Sequence, residues 1–388
     1  MSLPDQVLAA VRAALPASEG GVALHEPEFR GREWAYLKDC LDTGWVSSVG
    51  AYVDRIERDL ETLTGAAHAV ATSNGTAALD ICLRLAGVQA GDEVLVPTLT
   101  FVATANAVAY QGATPHFVDS EATTLGVDPV RLDAYLHEIA RVDGDVCVNT
   151  RTGTPIRALM VMHVFGHPCD LDALAEVAAR WKLALVEDAA EGLGSRWNGR
   201  HVGNVGLVSA LSFNGNKIVT TGGGGAILTN DPALGRRAKH LTTTARVPHR
   251  WSFIHDEVGW NYRMPNLNAA LGCAQLERLP DMMARKAVLT QRYADAFRGV
   301  DGARLLTARP GAEVNHWLNA LILDRPDMGM RDALLEALNS SGFMARPLWT
   351  LMHRLPMYSD CPRDALPVAE ALEASVINLP SSAKLADA

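Results

Sequence analysis

Apolar residues are distributed along this chain in two rhythms. Short runs that are apolar almost throughout recur at 68–72, 93–97, 115–118, 158–163, 183–187, 207–213 and 225–229. Such runs read as strands buried on both faces. Between most of them, apolar residues fall three and four apart, at 76–86, 171–181 and 233–240, which predicts amphipathic helices. Strands alternating with helices predict βαβ units, hence an α/β fold with a central, mostly parallel, seven-stranded sheet. Upstream, helical spacing at 33–41 and 53–63 flanks a loop from Gly44 to Gly50. Residues 1–22 read as a short amphipathic helix carried by Val7, Leu8 and Val11, closed by Pro16 and Gly20-Gly21. A long helical stretch from about 266 to 297 leaves the sheet; short strands (317–323, 342–345) and helices (330–340, 366–374) follow. This pattern divides the chain into an N-terminal extension (1–24), a large domain (25–284) and a smaller C-terminal α+β domain (285–388).

At 388 residues the chain can bury a large core, and its 48% hydrophobic content is that of an ordinary globular protein. A formal charge of −9 argues against nucleic-acid or polybasic membrane binding. Small anionic substrates remain open, because a local site can be positive on an acidic protein. The six cysteines, Cys40, Cys82, Cys147, Cys169, Cys273 and Cys361, are scattered with no CxxC pair, so neither zinc nor a disulfide framework is expected. The N-terminus lacks the basic and apolar regions of a signal peptide, and no apolar run reaches the ~20 residues of a spanning helix. The expected setting is the cytoplasm, with no metal.

Parallel sheets gather ligands at the carboxyl ends of their strands, and the candidate chemistry lies there. Asn74-Gly75-Thr76 joins a strand to a helix start, where free amides and a hydroxyl would seat a phosphate; an ordinary helix cap is the other reading. Asp188 ends a buried strand, where a carboxylate is costly unless paired. It is either a helix cap or the partner of a protonated ring nitrogen. Lys217, in Ser212-Phe213-Asn214-Gly215-Asn216-Lys217, is either a solvated loop lysine or a partly desolvated amine able to bind an aldehyde. Gly222 to Gly225 follow it and suit close approach to a ligand, or a flexible loop. Ser212 could offer its hydroxyl to the same phosphate. Phe101 is a core residue or a platform for a flat ring. His163 is a hydrogen-bonded structural histidine or part of the same mouth.

Taken in order, these motifs resemble the DegT-type nucleotide-sugar aminotransferases over about 24–380. The resemblance is carried by Gly44-Trp45-Val46-Ser47-Ser48, Asn74 to Leu79, Pro97 to Thr104, Glu187-Asp188-Ala189-Ala190-Glu191, Ser212 to Lys217 and Gly259 to Pro265. It implies a fold type I, aspartate-aminotransferase-like architecture and pyridoxal 5′-phosphate, alternating with its pyridoxamine form. It further implies that Lys217 holds the cofactor's carbonyl carbon and Asp188 its pyridine nitrogen. Gly75, Thr76 and Ser212 would hold the phosphate, Phe101 would stack on the ring, and Glu191 would lie near the ring hydroxyl. Asn261 would reach the phosphate of a neighbouring subunit, making the working unit a homodimer with shared sites.

Three positions depart from the family pattern: Glu191 where Gln is frequent, Asn214 where His is common, and Gly222 to Gly225 in place of Gly-Glu-Gly-Gly. With Leu241 to His249 and Arg346 to His353, they resemble the legionaminic-acid and bacillosamine subgroup. That resemblance implies two-stage amino transfer from L-glutamate to C4 of a UDP-linked 2-acetamido-4-keto-2,6-dideoxyhexose, for bacterial surface glycans. Trp45, Val46, Ser47, His163, Arg346, Trp349 and His353 are the candidates for sugar contact. The alternatives are a GDP- or dTDP-linked substrate, a pyridoxamine-dependent sugar dehydratase, and a non-catalytic sensor.

Overall fold

The structure is a computed structural model and describes residues 1–16 and 20–387. All seven expected central strands are present: β1 (His68–Thr72), β2 (Glu93–Pro97), β3 (Thr114–Val118), β4 (Pro155–Met162), β5 (Ala184–Asp188), β6 (Val208–Ser212) and β7 (Gly225–Thr229). They lie in the order β1-β7-β6-β5-β4-β2-β3. β7 runs antiparallel to both of its neighbours, and the other four pairings are parallel. A hairpin, Ala140–Asp143 with Val146–Asn149, adds two strands beside β4. Its exposed, polar first strand gave no apolar run to read.

Helices cover both faces, so the strands are apolar on both. Leu95, Leu159 and Val161 point into one core and Val94, Val96 and Met160 into another. The helix Gly75–Leu85 packs against β6 and β7, and Asn74 caps its start by accepting the Ala77 amide at 2.8 Å.

After the long helix Asn266–Ala296, a second sheet forms from β8 (Ala303–Leu305), β9 (Asn319–Leu323), β10 (Arg346–Pro347) and β11 (Val376–Leu379), in the order β8-β9-β11-β10. The strand expected at 342–345 is instead the two residues of β10. The segment just before it is held by Val22, whose carbonyl accepts the Met344 amide at 2.8 Å. The N-terminal helix, Leu3–Ala14, shares a third core with this sheet, in which Val7 and Val11 meet Tyr293, Leu321, Leu334 and Ile377. Among the described residues, no helix is long and apolar enough to cross a membrane.

Candidate active site

At the carboxyl ends of β4, β5 and β6, between the central sheet and the second sheet, lies a cavity of about 330 Å³. Gly75, Thr76, Phe101, Asp188, Glu191, Ser212, Lys217 and Trp349 line it. Eight of the proposed site residues, drawn from five separate stretches of sequence, thus share one chamber.

One end of the chamber is the turn before the helix Gly75–Leu85. The first helical bond to the Asn74 carbonyl comes from Ala78, and Asn74's side chain takes the Ala77 amide. The amides of Gly75 and Thr76 are therefore left for a ligand, at the positive end of the helix dipole. Two glycines let the strands crowd in. A Cβ on Gly75 would stand 2.9 Å from Ser212 Cβ, and one on Gly225 would stand 2.6 Å from the Asn74 carbonyl carbon. The antiparallel β7 is what brings Gly225 to this turn, through the pairs Thr72 with Gly225 and Ser212 with Gly225.

Asp188 forms the deep wall and is buried. Its Oδ2 accepts from Thr104 Oγ1 at 2.8 Å and its Oδ1 from the Ala190 amide at 3.1 Å. Burial pushes its carboxyl above the usual carboxylate range; Thr104, Ala190, Lys217 and His163 counter this only in part. Such a carboxylate is suited to a cationic partner in the chamber.

The loop joining β6 to β7 carries Lys217. Buried Phe213 anchors it, donating its amide to the Gly224 carbonyl at 2.8 Å and accepting from the Thr221 amide at 3.0 Å. Lys217 Nζ lies 3.0 Å from Glu191 Oε1 and 4.0 Å from the ring centre of Trp317. Glu191 Oε2 accepts the Phe165 amide at 2.8 Å. Burial raises the Glu191 carboxyl too, and the charge of Asp188 adds to the rise. One ammonium therefore faces two buried carboxylates. Phe101 and Trp349 meet edge to face with ring centres 6.3 Å apart, and Trp349 lies against Phe165. Trp317 and Phe165 carry no local motif, and Thr104 was read only as the end of the run Pro97 to Thr104, so sequence reasoning gave none of the three a role.

Other candidates lie elsewhere. His163 is wholly buried and does not line the chamber: its Nε2 is 3.0 Å from Glu187 Oε2, and its Nδ1 accepts the Cys169 amide. The expectation that it touches sugar is thereby corrected, because both ring nitrogens are already engaged behind the wall. His353 hydrogen-bonds Thr98 at 2.8 Å outside the chamber, and Arg346 is exposed on β10. Trp45, Val46 and Ser47 are exposed and lie outside the chamber of their own chain, as does Asn261, whose Oδ1 accepts from Arg263.

The residues present fit a phosphorylated aromatic aldehyde. There are free amides and the Ser212 hydroxyl at one end, a buried carboxylate at depth, an amine on a braced loop, and an aromatic lid. The sequence profile of the DegT/DnrJ/EryC1/StrS aminotransferase family matches residues 27–388. The chain is 36% identical to a GDP-perosamine synthase of Caulobacter vibrioides (strain ATCC 19089 / CIP 103742 / CB 15) over 371 residues, 95% of each chain. It is 35% identical to a GDP-perosamine synthase of Escherichia coli O157:H7 over 94% of each. Among solved structures, the aminotransferase TlmJ from Streptoalloteichus hindustanus superposes with a TM-score of 0.82 at 28% identity, covering 92% of this chain and 93% of that one.

Proposed function

Because the chain belongs to the DegT/DnrJ/EryC1/StrS aminotransferases, a family of pyridoxal-phosphate-dependent sugar aminotransferases, we propose that it aminates C4 of a GDP-linked 4-keto-deoxyhexose. The observation that carries this reading is the convergence of Lys217 and Asp188 on one chamber with a phosphate-ready turn at its end. The similarity to GDP-perosamine synthases favours guanosine diphosphate as the carrier. The motif resemblance of Ser212 to Lys217 and Gly222 to Gly225 favours a second reading, a UDP-linked 2-acetamido-4-keto sugar.

When bound, the cofactor supplies a carbonyl that exchanges amino groups and a ring that stores electrons. Lys217 would hold its carbonyl carbon, and its amine, once free, would carry a proton to and from the amino donor's Cα. Asp188, braced by Thr104, keeps the ring nitrogen protonated. The amides of Gly75 and Thr76 and the hydroxyl of Ser212 hold the phosphate. Glu191 steadies Lys217 and would lie on the ring-hydroxyl side of the bound cofactor. Phe101 and Trp349 exclude water from the open side.

L-glutamate is the proposed donor. The proposed unit is a homodimer in which Asn261 reaches the partner's chamber. The exposed Trp251, Phe253 and Val258, on the segment leading to Asn261, support a protein surface there. The proposed product is a precursor of bacterial surface glycan, made in the cytoplasm. The test is incubation with L-glutamate and either GDP- or UDP-linked 4-keto sugar, with products weighed by mass spectrometry. Amino sugar from the GDP compound alone is the expected result. Amine from the UDP compound alone selects the second reading, and a dehydrated sugar with no amine sinks both.

A further inference from the structure

Lys286 is 1% exposed on the inner side of the long helix, and among the described residues no carboxylate pairs with it. Its Nζ donates to the carbonyl oxygens of Trp317, at 3.1 Å, and of Ser381. The first of these contacts leads to the chamber. Trp317 ends a turn that begins at Asn315, and the turn touches both members of the Lys217–Glu191 pair. Asn315 Nδ2 donates to the Glu191 carbonyl at 2.7 Å. The Trp317 indole donates to the Asn216 carbonyl at 2.8 Å, and its face lies 4.0 Å from Lys217 Nζ. Between them His316 holds φ at +53°, a left-handed conformation that a non-glycine residue keeps only when its surroundings enforce it.

We propose that Lys286 is a positioning residue for Lys217: it fixes the carbonyl of Trp317, and the fixed turn sets the indole against which the reactive amine rests. The inference rests on the reading of Lys217 as the cofactor-binding amine. A buried lysine is an expensive way to hold a carbonyl, and a methionine would pack there at less cost if packing were the only demand. Burial lowers Lys286 to about 7, so near neutrality it is available as an uncharged amine, whose two N–H groups match the two carbonyls. The other titratable groups facing it conform. His25 and His316 are pushed down chiefly by burial, His316 to about 4, so both are neutral imidazoles at pH 7.

The test uses the holoenzyme with Lys286→Met, which has similar length and no donor, and Lys286→Gln, whose two donors sit on a chain one atom too short for both carbonyls. The readouts are the pH midpoint of the visible absorbance and the split between kcat and KM. An indole face favours a nearby cation, so a loosened Trp317 should lower the midpoint by roughly half to one pH unit in Lys286→Met. In Lys286→Gln the shift should be smaller but measurable. kcat should fall roughly three- to tenfold in Lys286→Met, with KM for the nucleotide sugar within about twofold. A variant with reduced thermal stability but the parent's midpoint and kcat would show Lys286 to be only a core residue and would overturn the proposal. Should Lys286→Met not fold, Lys286→Gln decides by the same readouts, and parent-like values overturn the proposal. A parent protein that gains no visible absorbance with pyridoxal phosphate defeats the reading of Lys217 instead.

Discussion

Lys217→Ala should destabilise the cofactor-free protein in a way that depends on pH. The substitution removes the one ammonium that faces Glu191, at 3.0 Å, and leaves Glu191 and Asp188 buried together. Both carboxyls already sit above their ordinary values because of burial. A carboxyl raised in the fold favours the folded state while it is protonated, and that advantage is lost as pH rises through the folded value. Without Lys217 the native state should hold about one more proton than the unfolded chain near neutrality. Stability then falls by about 1.4 kcal/mol per pH unit, or about 2.7 kcal/mol between pH 6 and pH 8. That is compatible with the roughly 3–5 kcal/mol lost when one partner is stripped from a buried pair. Urea unfolding of parent, Lys217→Ala and Lys217→Ala/Glu191→Gln at pH 6, 7 and 8, followed by tryptophan fluorescence, measures it. The double variant should recover part of the loss at pH 8. Parallel pH dependences for parent and Lys217→Ala, or a double variant no more stable than the single, would refute the reasoning.

Glu187 accepts from His163 Nε2 and from the amides of Gly203, Val205 and Gly206. Burial raises its carboxyl, but these donors bring it below the usual range overall, so its contribution is present above the unfolded value and lost as pH falls. Glu187→Gln should therefore cost about 3 kcal/mol at pH 7 and less below pH 4, seen in denaturant unfolding. Gly225→Ala puts a methyl 2.6 Å from the Asn74 carbonyl carbon and should weaken pyridoxal phosphate binding at least roughly tenfold, seen by fluorescence titration. Thr104→Val removes one of two donors to Asp188 and should lower kcat by roughly tenfold with little change in KM, seen in steady-state kinetics.

The central sheet was legible because strands covered on both faces leave unbroken apolar runs, and all seven were read within a few residues. Of the second sheet only β9, within the strand expected at 317–323, was read; β10 is two residues long and takes its place from pairing with β11 rather than from its own sequence. Local pattern also could not say which of Glu187 and Asp188 faces the ligand, since both faces of β5 are apolar. The motif resemblance chose Asp188. The structure gives the reason in parity: Val186 points into the core containing the helix Gly75–Leu85, and Asp188 follows it, whereas Glu187 shares its side with Leu185. His163 misled for the converse reason. Standing at a strand end is necessary for reaching the chamber but not sufficient, and Glu187 claims its ring. Trp317 and Lys286 were invisible because their importance lies in contacts of Trp317 with Asn216, 101 residues away in sequence, and with Lys286, 31 residues away.

The third core, where Val7 and Val11 meet Leu321 and Ile377, joins the helix Leu3–Ala14 to strands far along the chain. On the ribosome the helix Leu3–Ala14 cannot complete its core until β11 has emerged. A chain halted before Val376 would keep its cofactor sheet while displaying a greasy, half-built lid, a natural mark for chaperones and proteases.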